Sequence, residues 1–227
     1  MKHVRDMVRF CAIFLLIAVF VFSNVISFLP LIFQNNKLAE HLKIQEARAA
    51  VGDAFMIYDE TTPTTNVQER AYTITDDTVS GETSPFAGSG TSKHVRVRSS
   101  DIRDELLLGI QDSAGTLTVY MKSSTGAWVS QWTVAVGDGN LQRFDIAYEQ
   151  TSGDALVVYS GNVATDGQEL KYYTWNGTTW TGPTNLGSTR TTGTVYGVKL
   201  VSRTTSGTNE IGLVYADTNF DLSANVW

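Results

Sequence analysis

Cysteine occurs once, at Cys11, inside an apolar stretch, so the chain beyond residue 50 can build no internal disulfide and no thiolate metal site. Histidine is nearly as scarce, and His94 is the sole one of the three that lies beyond residue 50. A nucleophile–base pair there would have to use His94, whose flanks read as an exposed strand edge. Gly88-Ser89-Gly90 has no apolar strand before it and no helix after it, which excludes a nucleophile elbow. Positive charge is sparse as well. Six of the 17 Lys and Arg and three of the 23 Asp and Glu fall in residues 1–50, leaving 11 cations against 20 carboxylates, formally −9, in the remainder. Such a surface repels phosphate backbones and argues against a nucleic-acid partner.

One long apolar run is present. Phe10 to Phe33 is 24 residues without a formal charge. As a helix it would reach ~36 Å, against ~30 Å for the hydrocarbon core of a bilayer. A membrane partner is therefore expected through residues 10–33. Lys2, Arg5 and Arg9 precede the run, which favours a cytoplasmic N-terminus and an extracytoplasmic body. The segment is either a signal peptide cleaved after Ala47-Arg48-Ala49, giving a secreted protein, or an uncleaved anchor. The run exceeds the usual h-region of ~7–15 residues and the alanine site lies far beyond it, which favours the anchor. Residues 34–50 read as a helical stalk, with Leu38, Leu42 and Ile44 on one stripe. No Gly-plus-Glu processing motif precedes the run, which argues against a pilin-like subunit. The expected division is thus 1–50, membrane segment and stalk, and 51–227, the body.

The body is rich in Thr, Ser, Gly, Tyr and Trp, a composition of strands and turns. An apolar strand recurs in it four times: AFMIYDE (54–60), ELLLGIQD (105–112), ALVVYSGN (155–162) and IGLVYAD (211–217). Tyr58, Ile110, Tyr159 and Tyr215 share one position at spacings of 52, 49 and 56 residues. A second strand follows each, with copies at 69–75, 116–123, 169–177 and 221–227, and Trp175 and Trp227 align 52 apart. A third is clear at 127–136 and 179–187, the latter after the hairpin signal Asn176-Gly177. A further strand precedes the apolar one at 94–100, 144–150 and 196–203. Four strands in ~50 residues with an aromatic signature predict propeller blades. The expected fold class is an all-β body, an incomplete β-propeller of about three to four four-stranded blades, behind an N-terminal transmembrane or signal helix. About 4–8 blades close a ring. The simplest expectation is therefore a fragment whose blades continue past Trp227, with closure by several chains as the alternative.

The segments GDALVVYSGN and GQELKYYTWNGTTWTGPTNLG resemble blades of sialidase-type and fucose-lectin-type β-propellers, in which Trp-x-Gly-x-x-Trp hairpins are common. The likeness in pattern covers residues 52–227 and is closest over 144–187. Sialidase-like propellers carry Ser-x-Asp-x-Gly-x-x-Trp boxes; Ser123-Ser124-Thr125-Gly126-Ala127-Trp128 lacks the aspartate, and the arginine triad and Tyr–Glu pair have no counterparts. Sialidase activity is therefore not implied. Fucose lectins bind sugar between blades through Arg, Glu and aromatic side chains. The resemblance thus points to Arg98, Glu149 and Trp175 as ligand-binding candidates.

Chemistry in the body is otherwise thin. The acidic pairs Asp59/Glu60, Asp76/Asp77 and Asp104/Glu105 read as turn and solubility residues, because neighbours on a strand point to opposite faces. Asp217-Thr218-Asn219-Phe220-Asp221 has alternate oxygen donors but lacks the glycine and distal glutamate of a calcium loop, so an Asx-stabilised turn is the better interpretation. No catalytic residue, metal ligand or cofactor motif is assigned. The tryptophans recur at blade spacing and are expected between blades. Trp132 has no counterpart in the next unit, which makes it a ligand-binding candidate too. A cell-surface or secreted module for binding or adhesion, with a glycan or cell-surface ligand, is the leading expectation. The alternatives are a fragment of a glycoside-processing propeller enzyme and a structural surface or filament subunit.

Overall fold

A computed structural model of the chain describes residues 54–59, 67–86, 91–100, 102–123, 126–165, 167–187, 193–204 and 207–227. The expected membrane segment, its stalk and the Gly52-Asp53 turn lie outside the described residues. What is described is strands and turns, with no helix. Sheet I comprises β1 (Ala54–Asp59), β2 (Val67–Thr73) and β3 (Thr78–Val79). Sheet II comprises β4 (Ser92–Ser100), β5 (Glu105–Asp112), β6 (Thr116–Ser123) and β7 (Val129–Ala135). Sheet III comprises β8 (Phe144–Tyr148), β9 (Ala155–Ser160), β10 (Leu170–Trp175) and β11 (Trp180–Asn185). Sheet IV comprises β12 (Val195–Ser202), β13 (Ile211–Asp217) and β14 (Leu222–Val226). Each sheet is an antiparallel meander of strands consecutive in sequence.

Four strands per unit, expected throughout, thus holds for sheets II and III, whereas sheets I and IV have three each among the described residues. β1 packs on β4 as β5 packs on β8 and β9 on β12. It is therefore the counterpart of β5, β9 and β13, as the position of Tyr58 predicts. Among the described residues sheet I has no counterpart of β4, and sheet IV has none of β7. The expected strand at 69–75 is shifted: pairing runs over Val67–Thr73, and Ile74 stands 56% exposed in the following turn.

Turn chemistry fixes these meanders. The β4–β5 and β8–β9 turns place Asp104 (φ 50°) and Gly153 (φ 73°) in the left-handed region that Gly and Asp tolerate best. The β13–β14 turn is held by Asp217, whose Oδ1 accepts from the backbone N–H of Asn219 and of Asp221, both at 3.0 Å, while Oδ2 accepts from Gly193 N–H at 3.0 Å. Asp112 does the same after β5, taking Ala114 N–H at 3.0 Å and Thr116 N–H at 2.9 Å. The Asx-stabilised turn is thus what forms at 217–221.

β5 and β9, in the two middle sheets, are buried on both faces, which is why they read as unbroken apolar runs, whereas β1 and β13 leave Met56 and Val214 exposed. In β5, Leu106, Leu108 and Ile110 join a cluster with Val67, Phe86, Tyr120 and Trp128. Leu107, on the opposite face, packs with Phe144, Ile146, Val157 and Tyr159 of sheet III. In β9, Leu156 and Val158 turn the other way, onto Val198, Leu200, Leu213 and Tyr215 of sheet IV. Each such side chain gains roughly 1.5–3 kcal/mol from burial, and the clusters that bury them join residues of neighbouring sheets. Gly109 permits a close approach of sheet III: a Cβ there would lie 2.3 Å from the ring of Phe144, itself fully buried.

Candidate functional site

The densest aromatic group lies between sheets II and III. β10 carries Tyr173 and Trp175 two residues apart, so both face the same side. Trp175 pairs across the hairpin with Trp180, the first residue of β11. Asn176 holds that hairpin, its Oδ1 accepting from Thr178 N–H at 3.0 Å and Thr179 N–H at 2.9 Å. From sheet II, Trp132 on β7 stacks on Tyr173, centroids 4.2 Å apart and planes at 21°, and meets Trp180 edge-on at 5.6 Å. Trp175 and Trp180 lie tilted at 5.4 Å.

Polar groups line the edge of this layer. Trp175 Nε1–H donates to Glu105, 3.0 Å to Oε1, and Trp180 Nε1–H donates to Gln131 Oε1 at 3.1 Å. The Trp132 indole N–H is buried without a hydrogen-bond partner. Tyr148 is buried beside Glu105. Arg103, just before β5, donates from Nε to Gly153 O at 2.9 Å and pairs with the Asp154 carboxylate. Gly177, at φ 93°, gives that guanidinium room: a Cβ there would lie 1.6 Å from Arg103 Nη1.

Electrostatics mark Glu105. Loss of water around its half-buried carboxyl raises its pKa, and Asp154 adds to the rise; Trp175, Arg103 and Tyr148 oppose it without cancelling it. Burial likewise drives the Tyr148 phenol well above its ordinary value, reinforced by the charge of Glu105. A carboxyl at the edge of two partly buried indoles can hydrogen-bond a ligand hydroxyl, while the rings offer an apolar face.

The four residues singled out from the sequence fall in three places. Trp132 and Trp175 meet in the aromatic layer. Arg98 is on β4, its side chain 45% exposed and turned to Asp145. Glu149 follows β8, where its carboxylate accepts from the Ser152 hydroxyl and its backbone closes the β8–β9 turn. Sequence reasoning passed over Glu105, taken as half of a solvated acidic pair, and over Arg103, Gln131 and Tyr148. His94 is partly buried rather than exposed. Burial first, then the charges of Arg96, Lys93 and Lys199, hold its pKa below the usual value, against a backbone hydrogen bond at Asn140. Among the described residues no group of three or more His, Cys, Asp or Glu could hold a metal.

No family model matches the sequence, and no curated protein matches it. Solved structures do. A mutant of the Aleuria aurantia lectin in complex with Fucα1-6GlcNAc aligns over 76% of this chain and 52% of its own, with TM-score 0.51 and 13% identity. The fold is β-propeller-like. In those terms β4, β8 and β12 are the inner strands of successive blades, and the aromatic layer lies between blades II and III. The SapL1 lectin in complex with α-methyl fucoside aligns over 76% of this chain and 56% of its own, at TM-score 0.45 and 14% identity. An exo-β-1,3-galactanase from Phanerochaete chrysosporium, with β-1,3-galactotriose, aligns over 72% and 41%, at TM-score 0.44 and 13% identity. The chain spans about half the length of the lectin structures it matches.

Proposed function

We propose that the chain is a carbohydrate-binding propeller module, held at a membrane by residues 10–33 with its blades outside the cytoplasm, and serving adhesion. The observation that carries the proposal is the Trp175–Trp180 pair with Glu105 and Gln131 fixed at the indole edges. Partly buried indole faces suit the C–H face of a pyranose, and the carboxyl and amide suit its hydroxyls. Lectins of the same fold, crystallised with fucosyl ligands, support this assignment. Further blades are part of the proposal: sheet IV carries an unpaired edge at β14, and a cleft of ≈290 Å³ lined by Tyr172, Leu186, Leu213 and Trp227 lies beside it.

A glycan array probed with the full chain tests the assignment. Binding to fucosides or other neutral saccharides is expected, and Trp180→Ala should weaken it by about tenfold or more, the loss of ~1.4 kcal/mol or more of ring contact. A chain that binds no saccharide would overturn it.

A further inference from the structure

The inner strands carry charge out of keeping with the rest of the body. His94, Arg96 and Arg98 alternate along β4 and so share a face. Opposite them on β8 stands Asp145, fully buried, with Oδ1 accepting from Ile146 N–H at 2.9 Å and Oδ2 from Leu200 N–H at 3.0 Å. Arg96 Nε and Arg98 Nη2 approach the same Oδ1 only to 4.0 and 3.9 Å, too far for hydrogen bonds. Arg96 is anchored by Val95 O and the Gln142 amide oxygen, and Arg98 by Val97 O. Arg96 Nε and His94 Nε2 are buried without hydrogen-bond partners among the described residues. Lys93 and Lys199 are exposed, and both lie close enough to His94 to act on its charge. Arg96 and Arg98 thus share one carboxylate, and Lys93 and Lys199 add charge near His94, in a body whose formal balance is −9.

Asp145, at 3.9–4.0 Å, offsets the charge of Arg96 and Arg98 only in part, and Lys93 and Lys199 add to the local excess of cations, so a further counter-charge would stabilise the cluster. Guanidinium forks bind carboxylate and sulfate through paired charge-assisted hydrogen bonds. We infer that the inner strands form an oxyanion-binding site, centred on Arg96 and Arg98, that takes a carboxylate or sulfate group. Asp145, locked by two backbone donors, is the positioning residue: it holds the two guanidiniums together without saturating them. The site is separate from the aromatic layer between blades II and III, and it stands or falls independently of saccharide binding there.

Thermal unfolding of the full chain at low ionic strength tests it, with sodium sulfate, an oligouronate and a neutral saccharide titrated against sodium chloride at matched ionic strength. Sulfate or oligouronate should raise the unfolding midpoint in a saturable way, as linkage requires of a ligand of the folded state. Arg98→Gln, at a half-exposed position, and Arg96→Gln should each weaken that binding about 10- to 100-fold, the usual value of a hydrogen bond to a charged group. Equal midpoints for sulfate and oligouronate would mean that the ion alone is read; a larger rise with the oligouronate would mean that the anion is presented on a sugar. No saturable rise above chloride, or the same rise in Arg98→Gln, would overturn the inference. A neutral saccharide that acts while both anions do not would sink it and leave the proposed saccharide site intact.

Discussion

The layers between sheets I and II and between sheets II and III use the same pair of residues to opposite ends. In the first, Trp128 Nε1–H donates to Glu69 Oε2 at 2.8 Å. Glu69 is 6% exposed, and its other oxygen pairs with Lys122, whose ammonium also lies 4.3 Å from the centre of the Phe55 ring. In the second, Trp175 donates to Glu105, but among the described residues no cation bonds that carboxyl, which is only half-buried. A glutamate–indole pair that is capped by a lysine is a structural joint. The same pair left uncapped at a rim keeps unused bonding capacity, which is what a ligand site requires.

Breaking the lysine cap should have the largest effect. Lys122→Met leaves Glu69 buried without its cation and should cost about 3–5 kcal/mol, measured by urea denaturation; a loss below ~1 kcal/mol would mean that water replaces the lysine and that the two layers do not differ. The indoles give the next contrast. Trp128→Phe strips a donor from a buried carboxylate and should cost about 1–3 kcal/mol. Trp175→Phe should cost less, under about 1 kcal/mol, because Glu105 can be hydrated instead. The smallest effect is one of slope. Glu105 has a raised pKa in the folded state, so its contribution is fully present below the ordinary glutamate value and is lost as pH rises through the raised one. Glu105→Gln keeps an oxygen for Trp175 and should flatten the stability profile across that window; an unchanged profile would show that the carboxyl is as wet as any surface glutamate.

Much of the architecture was legible because its cause is local. β5 and β13 occupy the residues expected of them, 105–112 and 211–217, since each apolar run is bounded by polar turns: β5 is buried on both faces, and β13 keeps Ile211, Leu213 and Tyr215 inside while Val214 stays exposed. The end sheets were less legible: β3 is two exposed residues with no apolar pattern to announce it. The candidate site was legible only in its aromatic half. Trp175 stands out in sequence, but the carboxyl it holds is 70 residues away, and nothing around Asp104-Glu105 records that a neighbouring sheet will cover one of the two. Arg98 turns to Asp145 of β8 and Glu149 to Ser152 of the β8–β9 turn, and neither partner is announced by the residues around it in sequence.

Arg103 reaches from one sheet to the 153–154 turn of the next and lies under the 176–177 hairpin. The three loops that frame Glu105 and Trp175 are therefore riveted before any guest arrives. An incoming molecule would not have to spend part of its affinity freezing that frame, and the Arg103 side chain, which need never touch the guest, would set how tightly it is held.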